Sequence, residues 1–143
     1  MTDDSDAILK LMNRYAELFD SGQLGEFASL FDHGTLTFEG MGSFTGPAEV
    51  LDFIDRMVML YNGKPRTSHL MNNVSIDVDP DGEQATASCY ITVLQTLPNF
   101  PLQPIVVGRY TDRFKRHDGK WCFDERTANR HLPGDISHHL KVG

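Results

Sequence analysis

The chain has 143 residues, with 13 lysines and arginines against 20 aspartates and glutamates, for a formal net charge of -7. That length suits one domain, expected over residues 1–143, and folding at this size buries roughly two-thirds of the surface the unfolded chain exposes. The charge repels phosphate backbones and anionic bilayers, so nucleic acid and membrane are not expected partners, and no apolar run approaches the roughly 18 residues that span a bilayer.

The acidic start, Met-Thr-Asp-Asp-Ser-Asp, lacks the basic residues of a secretory leader, and the expected location is cytoplasmic. From Asp6 to Phe19, Ile8, Leu11, Met12, Tyr15, Leu18 and Phe19 recur at three- and four-residue spacing, which predicts an amphipathic helix stopped by Gly22. Leu24, Phe27, Leu30 and Phe31 mark a short second helix that ends at His33-Gly34, and Thr35 to Phe38 reads as a short strand. Gly46-Pro47 opens a third helix, because proline at the first helical position gives up an amide that would be unpaired anyway. Leu51, Ile54, Val58 and Tyr61 continue its apolar face as far as Asn62-Gly63.

Three β-rich runs follow, Ser68–Val78, Ala85–Leu97 and Ile105–Lys115, divided by Asp79-Pro80-Asp81-Gly82 and by the proline-bearing stretch Pro98–Pro104. A fourth, Trp121–Asn129, comes after the turn His117-Asp118-Gly119. Helix, helix, strand, helix and four antiparallel strands make an α+β pattern, with helices on one face of a curved sheet around a pocket. Cys89 and Cys122 lie in apolar strand patterns without metal or redox spacing and are expected to be free, structural thiols.

The stretch Arg66-Thr67-Ser68-His69-Leu70-Met71-Asn72-Asn73, set against Asp20 at the end of the first helix, suggests a buried acid/base pair. Histidine exchanges protons near neutral pH, and a carboxylate behind the ring fixes its tautomer and strengthens it as a base. Serine and cysteine occur in no nucleophile motif, which leaves proton transfer without a covalent intermediate. His131, His138 and His139 cluster near the carboxyl terminus, but adjacent histidines converge poorly on one ion, and neither a metal nor another cofactor is expected. Leu132–Asp135 and Ile136–Leu140 read as a turn and a short segment covering the cavity mouth, with Phe100 in the same lid.

Arg14-Tyr15-Ala16 before Asp20, Phe44-Thr45-Gly46, His69 with Asn73, and Gly108-Arg109-Tyr110 leading to Asp118-Gly119-Lys120-Trp121 together resemble the SnoaL-like family, within the superfamily named after nuclear transport factor two. The resemblance covers nearly the whole chain. It implies a cone-shaped barrel, a curved, mostly antiparallel sheet with three helices enclosing an apolar cavity, assembled as a homodimer or homotrimer. Dehydratases and a dehydrochlorinase of that superfamily use an Asp–His dyad, which maps onto Asp20 and His69. Bile-acid dehydratases add a tyrosine before the aspartate and an arginine late in the last strand, matched by Tyr15 and by Arg126, with Arg130 its neighbour of the same strand parity. The ketosteroid isomerase base position falls on Phe38, next to Glu39, so isomerase chemistry is not expected there.

The expected function is a small cofactor-independent lyase, of dehydratase or dehydrohalogenase type, acting on a small apolar cyclic or aromatic-derived substrate. In that chemistry a base takes a proton from carbon while a polar group helps the leaving group depart. The alternatives are a ligand-binding domain or a structural subunit like the β subunits of ring-hydroxylating dioxygenases, and a polyketide cyclase or isomerase. Each residue also has a structural alternative: His69 as a hydrogen-bonded core residue, Asp20 in water, Tyr15 in the core, and Arg126 paired with Asp112, Asp124 or Glu125.

Overall fold

A computed structural model describes residues 3–141; of the single domain expected over 1–143, residues 1, 2, 142 and 143 lie outside the described residues. Helix α1 spans Asp3–Asp20, with Asp3, Asp4 and Asp6 at the positive end of its dipole and Ile8, Met12, Tyr15, Ala16, Leu18 and Phe19 buried along one stripe. Its end is a glycine stop: Gly22 at φ 78 lets its N–H donate to Phe19 O and that of Gln23 to Leu18 O. Helix α2 (Leu24–Ser29) buries Phe27 and Ala28.

Strand β1 (Thr35–Phe38) turns back into β2 (Gly42–Thr45), a pairing tied by hydroxyl contacts of 2.9 Å between Thr35 and Thr45 and 2.8 Å between Thr37 and Ser43. β2 was not among the strands expected from the sequence, because four residues with two glycines nearby carry no periodicity. Helix α3 (Gly46–Met57) carries Pro47 in its first turn and buries Val50, Phe53 and Ile54. It stops before Val58, earlier than the apolar spacing suggested. Val58 is extended (φ -94, ψ 132) and forms a bridge to Leu140, so tertiary pairing overrides the helical pattern there.

The sheet is completed by β3 (Thr67–Val78), β4 (Gln84–Leu97), β5 (Phe100–His117) and β6 (Lys120–Pro133), in the order β2-β1-β6-β5-β4-β3. β1 joins β6 in parallel and every other pairing is antiparallel. The architecture is α+β with three helices and a curved six-stranded sheet whose end strands, β2 and β3, do not pair with each other, so the cone stays open along that line. The stretch Pro98–Pro104 is mostly strand rather than connection, since β5 begins at Phe100. Proline lacks the N–H a ladder needs, and Pro104 is tolerated because it pairs with Leu94 beside a register shift that leaves Ile105 out of the ladder.

Further shifts fall between Asn72 and Ser75 in β3, and opposite Val107/Gly108 and Arg113/Phe114 in β6. Each extra residue bends the strand and reverses its alternation. Beside Asp124 this reversal brings Phe123 and Arg126 to the same inner face, where regular alternation would put them on opposite sides. Phe123 then stacks on Phe31 at 5.1 Å and meets Phe114 at 4.9 Å, at the centre of the core.

Gly108 lies where β5 passes tightly against β6. A Cβ there would stand 2.7 Å from the Asn129 carbonyl oxygen and 3.2 Å from Ile91 Cγ2. Gly108→Ala is expected to cost about 1–3 kcal/mol by overpacking, read as a lower urea midpoint with an unchanged slope.

Candidate functional site

Between the helices and the concave face of the sheet lies a cavity of about 120 Å³. Its wall is largely apolar, with Phe19, Phe27, Phe53, Ile91 and Val93 among its lining residues, and its polar members include Tyr15, His69, Tyr110, Asn129 and His139.

Asp20 is the last residue of α1, at the negative end of the helix dipole, where a carboxylate needs donors. β3 supplies three. Thr67 Oγ1 donates to Asp20 Oδ1 at 2.8 Å, the His69 backbone N–H donates to Oδ2 at 2.7 Å, and His69 Nδ1 lies 2.7 Å from Oδ1. Thr67 and His69 are two apart on a strand and share a face, so one carboxylate can grip both. Arg66, at φ 62, turns the chain into this strand from the left-handed region. The His69 side chain is 8% exposed and that of Asp20 20%. With Nδ1 on the carboxylate, Nε2 is the ring nitrogen without a hydrogen bond to the described residues, and the His69 ring meets the edge of Phe19 at 5.1 Å.

Tyr15 and Asp20 are about 140° apart around a helix, and α1 runs unbroken to Asp20. The two side chains therefore point in different directions. Tyr15 and Phe19, one turn apart, line the cavity, while Asp20 stands behind His69 and is absent from the lining. The Tyr15 ring packs on Phe27 at 4.6 Å and Tyr110 at 5.4 Å. Burial raises the pKa of its phenol, against the pull of the nearby Arg126 cation. Burial likewise pushes Tyr110 well above the usual tyrosine value, with Tyr15 adding to the rise.

Arg126 is fully buried and does not line the cavity; Arg130, the neighbour of like parity, does. Arg126 donates from Nε to Asp112 Oδ1 at 2.7 Å and from Nη2 to Oδ2 at 2.9 Å, and its third nitrogen, Nη1, has no partner among the described residues. Its guanidinium lies 4.3 Å from the Tyr15 ring centre and 4.0 Å from that of Tyr110, so the ring faces share the charge with Asp112. Cys89, a free thiol, is nearby, and burial pushes it up to about 11, which leaves it protonated and unreactive at neutral pH.

Two polar residues of the cavity had no assigned role in the sequence reading. Asn129 lines it from β6 and its Oδ1 is buried without a partner among the described residues. His139 is 8% exposed, lines the cavity from the carboxyl-terminal turn, and meets the Phe19 ring at 5.9 Å. The other clustered histidines diverge from it: His131 lies parallel to Tyr90 at 6.4 Å, and His138 packs on Phe100 at 4.4 Å. Phe100 is not a cavity residue; it backs the turn that is. Among the described residues, no group of three histidine, cysteine, aspartate or glutamate side chains is placed to hold a metal, and no helix is long and apolar enough to cross a membrane.

The chain belongs to the SnoaL-like domain family, which it matches over residues 1–127. It is 26% identical over 110 residues to the gamma-hexachlorocyclohexane dehydrochlorinase of Sphingobium indicum, covering 76% of this chain and 69% of that enzyme. The crystal structure of LinA superposes with a TM-score of 0.72 at 25% identity over 90% of this chain and 88% of that one. An NTF2-like protein with a cystatin-like fold from Novosphingobium aromaticivorans gives 0.75 at 22% identity over 90% and 82%.

Two outcomes follow from the buried charges. Asp112→Ala leaves the Arg126 cation buried and unpaired and is expected to cost about 3–5 kcal/mol, whereas Asp112→Leu combined with Arg126→Met costs far less; urea unfolding separates the two. His139 is pushed down to about 4, first by burial and then by His69, against the pull of Asp20. Its folded pKa lies below the unfolded value near 6.5, so between these values the unfolded chain binds the extra proton and stability falls as pH falls. The loss from pH 7 to 4 is on the order of 3 kcal/mol, and His139→Phe is expected to remove that component from the pH dependence of unfolding.

Proposed function

We propose that this SnoaL-like domain is a cofactor-independent lyase, of dehydratase or dehydrohalogenase type, in which His69 is the base and Asp20 the carboxylate that orients it. The observation that carries this reading is the 2.7 Å contact of Asp20 with His69 Nδ1 beside a largely apolar cavity. The carboxylate accepts the Nδ1 proton and thereby sets Nε2 as the basic nitrogen. When Nε2 takes a proton from substrate carbon, the positive charge that forms on the ring lies against Asp20, in surroundings that screen it poorly. The donors from Thr67 and the His69 backbone keep the carboxylate in place during that step.

Tyr15 is the proposed donor to a substrate oxygen or leaving group. Its raised pKa keeps the phenol protonated at neutral pH, and Arg126 acts through it, because a cation against the ring makes the hydroxyl a stronger donor. Arg126 is then a positioning residue rather than one that touches substrate. The cavity volume, about 120 Å³, is of the order of the roughly 150 Å³ that accepts a single benzene ring. A monocyclic substrate is therefore favoured, in keeping with the similarity to a hexachlorocyclohexane dehydrochlorinase.

One observation favours a second reading. Glu39, just beyond β1, lines the same cavity, where an acid could serve isomerase or cyclase chemistry. The two readings separate by mutation, with turnover of a panel of hydroxylated and halogenated cyclohexanes and cyclisable ketones as the readout. His69→Ala and Asp20→Asn are expected to lower kcat by about 10²–10⁴-fold with the thermal midpoint of folding retained. Activity that survives His69→Ala but is lost in Glu39→Gln would replace the dyad by Glu39.

A further inference from the structure

The His139 imidazole is 8% exposed, in the wall of the cavity, with Nδ1 sealed off and unpartnered among the described residues and Nε2 left as the ring nitrogen that a ligand can reach. Leaving a polar group buried without a partner costs about 1–3 kcal/mol, so its retention here needs a reason. Anchoring the carboxyl-terminal turn does not supply one. That turn is held by main-chain groups: the Met59 N–H donates to His139 O at 2.8 Å, the His139 N–H donates to Ile136 O at 2.9 Å, and the Lys141 N–H donates to Met57 O at 2.8 Å. The carbonyl of His138 accepts from Tyr61 Oη at 2.7 Å and from Gln95 Nε2 at 3.0 Å. None of these bonds uses the His139 ring.

The ring does have a fixed relation to the proposed base. Both His69 and His139 contact the Phe19 ring, at 5.1 and 5.9 Å, so a ligand filling the cavity beside Phe19 meets both imidazoles. We propose that His139 holds the departing oxygen of the substrate, and hence that the cavity takes a hydroxylated ring that loses water rather than a halogenated ring that loses hydrogen halide. The inference rests on the lyase reading and narrows it. A carbon-bound halogen is a poor hydrogen-bond acceptor and would leave the imidazole unpaired, whereas a hydroxyl matches it; sites built for a hydroxyl reject analogues that lack one for this reason.

The elimination balances with the groups in place. His69 Nε2 takes the proton from the carbon next to the C–O bond, and the C–H electron pair becomes the new C=C bond. The C–O pair leaves with oxygen, and the oxygen takes the proton back from the His69 imidazolium, giving one alkene and one water. His139 donates its Nε2–H to that oxygen throughout and loses no proton. Its neutrality at pH 7, set by a pKa near 4, matters because a second cation would oppose the charge forming on His69.

Binding of ring probes matched in size, phenol, toluene and chlorobenzene, tests this without turnover. Dissociation constants are measured by titration calorimetry or ligand-observed NMR on the whole protein, alongside His139→Phe, His139→Leu, His69→Ala and Asn129→Leu. Wild type is expected to bind phenol about tenfold more tightly than toluene or chlorobenzene, and that preference to fall to about one in whichever apolar His139 variants fold. A purely structural histidine would shift the thermal midpoint and leave the ratio alone. Equal affinities in wild type overturn the proposal. So does a preference that persists in the folded His139 variants, whether it then disappears in His69→Ala or in Asn129→Leu. The dyad reading stands or falls separately, on the kcat of His69→Ala and Asp20→Asn.

Discussion

The curvature of the sheet is the constraint on which the rest of this molecule depends. Long antiparallel strands left regular would give a gently twisted sheet with a shallow face. Here the ladders are broken at Asn72/Ser75, Val93/Leu94 and Gln95/Leu97, and opposite Val107/Gly108 and Arg113/Phe114, and each break adds bend. The sheet wraps far enough that α1 and α3 close over its concave side without filling it. The cavity is the space that remains.

Within that shell the polar work is divided between two separate networks. One joins the end of α1 to the start of β3, where the Asp20 carboxylate accepts from Thr67, the His69 main chain and the His69 ring. It converts the weak point of a helix, a carboxylate at its negative end, into the fixture that holds the His69 ring. The other is the Asp112–Arg126 pair, sealed at 0% side-chain exposure under the rings of Tyr15, Tyr110 and Phe123. Desolvating both ions is costly, and the bidentate geometry with the aromatic faces offsets that cost only in part. Such a pair is better understood as fixing where Tyr15 and Tyr110 stand than as a source of stability.

The carboxyl-terminal turn completes the wall by means unlike those of the sheet. Val58 leaves α3 to bridge with Leu140, and the carbonyls of His138 and His139 are taken up by Tyr61, Gln95 and Met59. Ile136, His139 and Leu140 then face the cavity. The main chain holds the turn, which leaves its inward side chains free to be chosen for what the cavity contains.

Local pattern alone determined most of the elements: the apolar stripe of α1, the proline start of α3 and the alternating runs of β3 to β6 follow from helical and strand periods that need no distant partner. The resemblance to the SnoaL-like family singled out Asp20 and His69, at the end of the first helix and early in the first long strand. What only the tertiary structure decided are the features set by pairing across the chain. The β1–β2 hairpin and the early stop of α3 come from partners far away in sequence. The inward turn of Arg126 comes from one extra residue in β6, which shifts parity in a way no alternation rule can foresee. Thr67 was legible in principle, two residues before His69 on the same strand face. The part played by His139 was not: the sequence set Ile136–Leu140 over the cavity mouth, but only the closed turn puts the ring of His139, and not that of His138, beside Phe19.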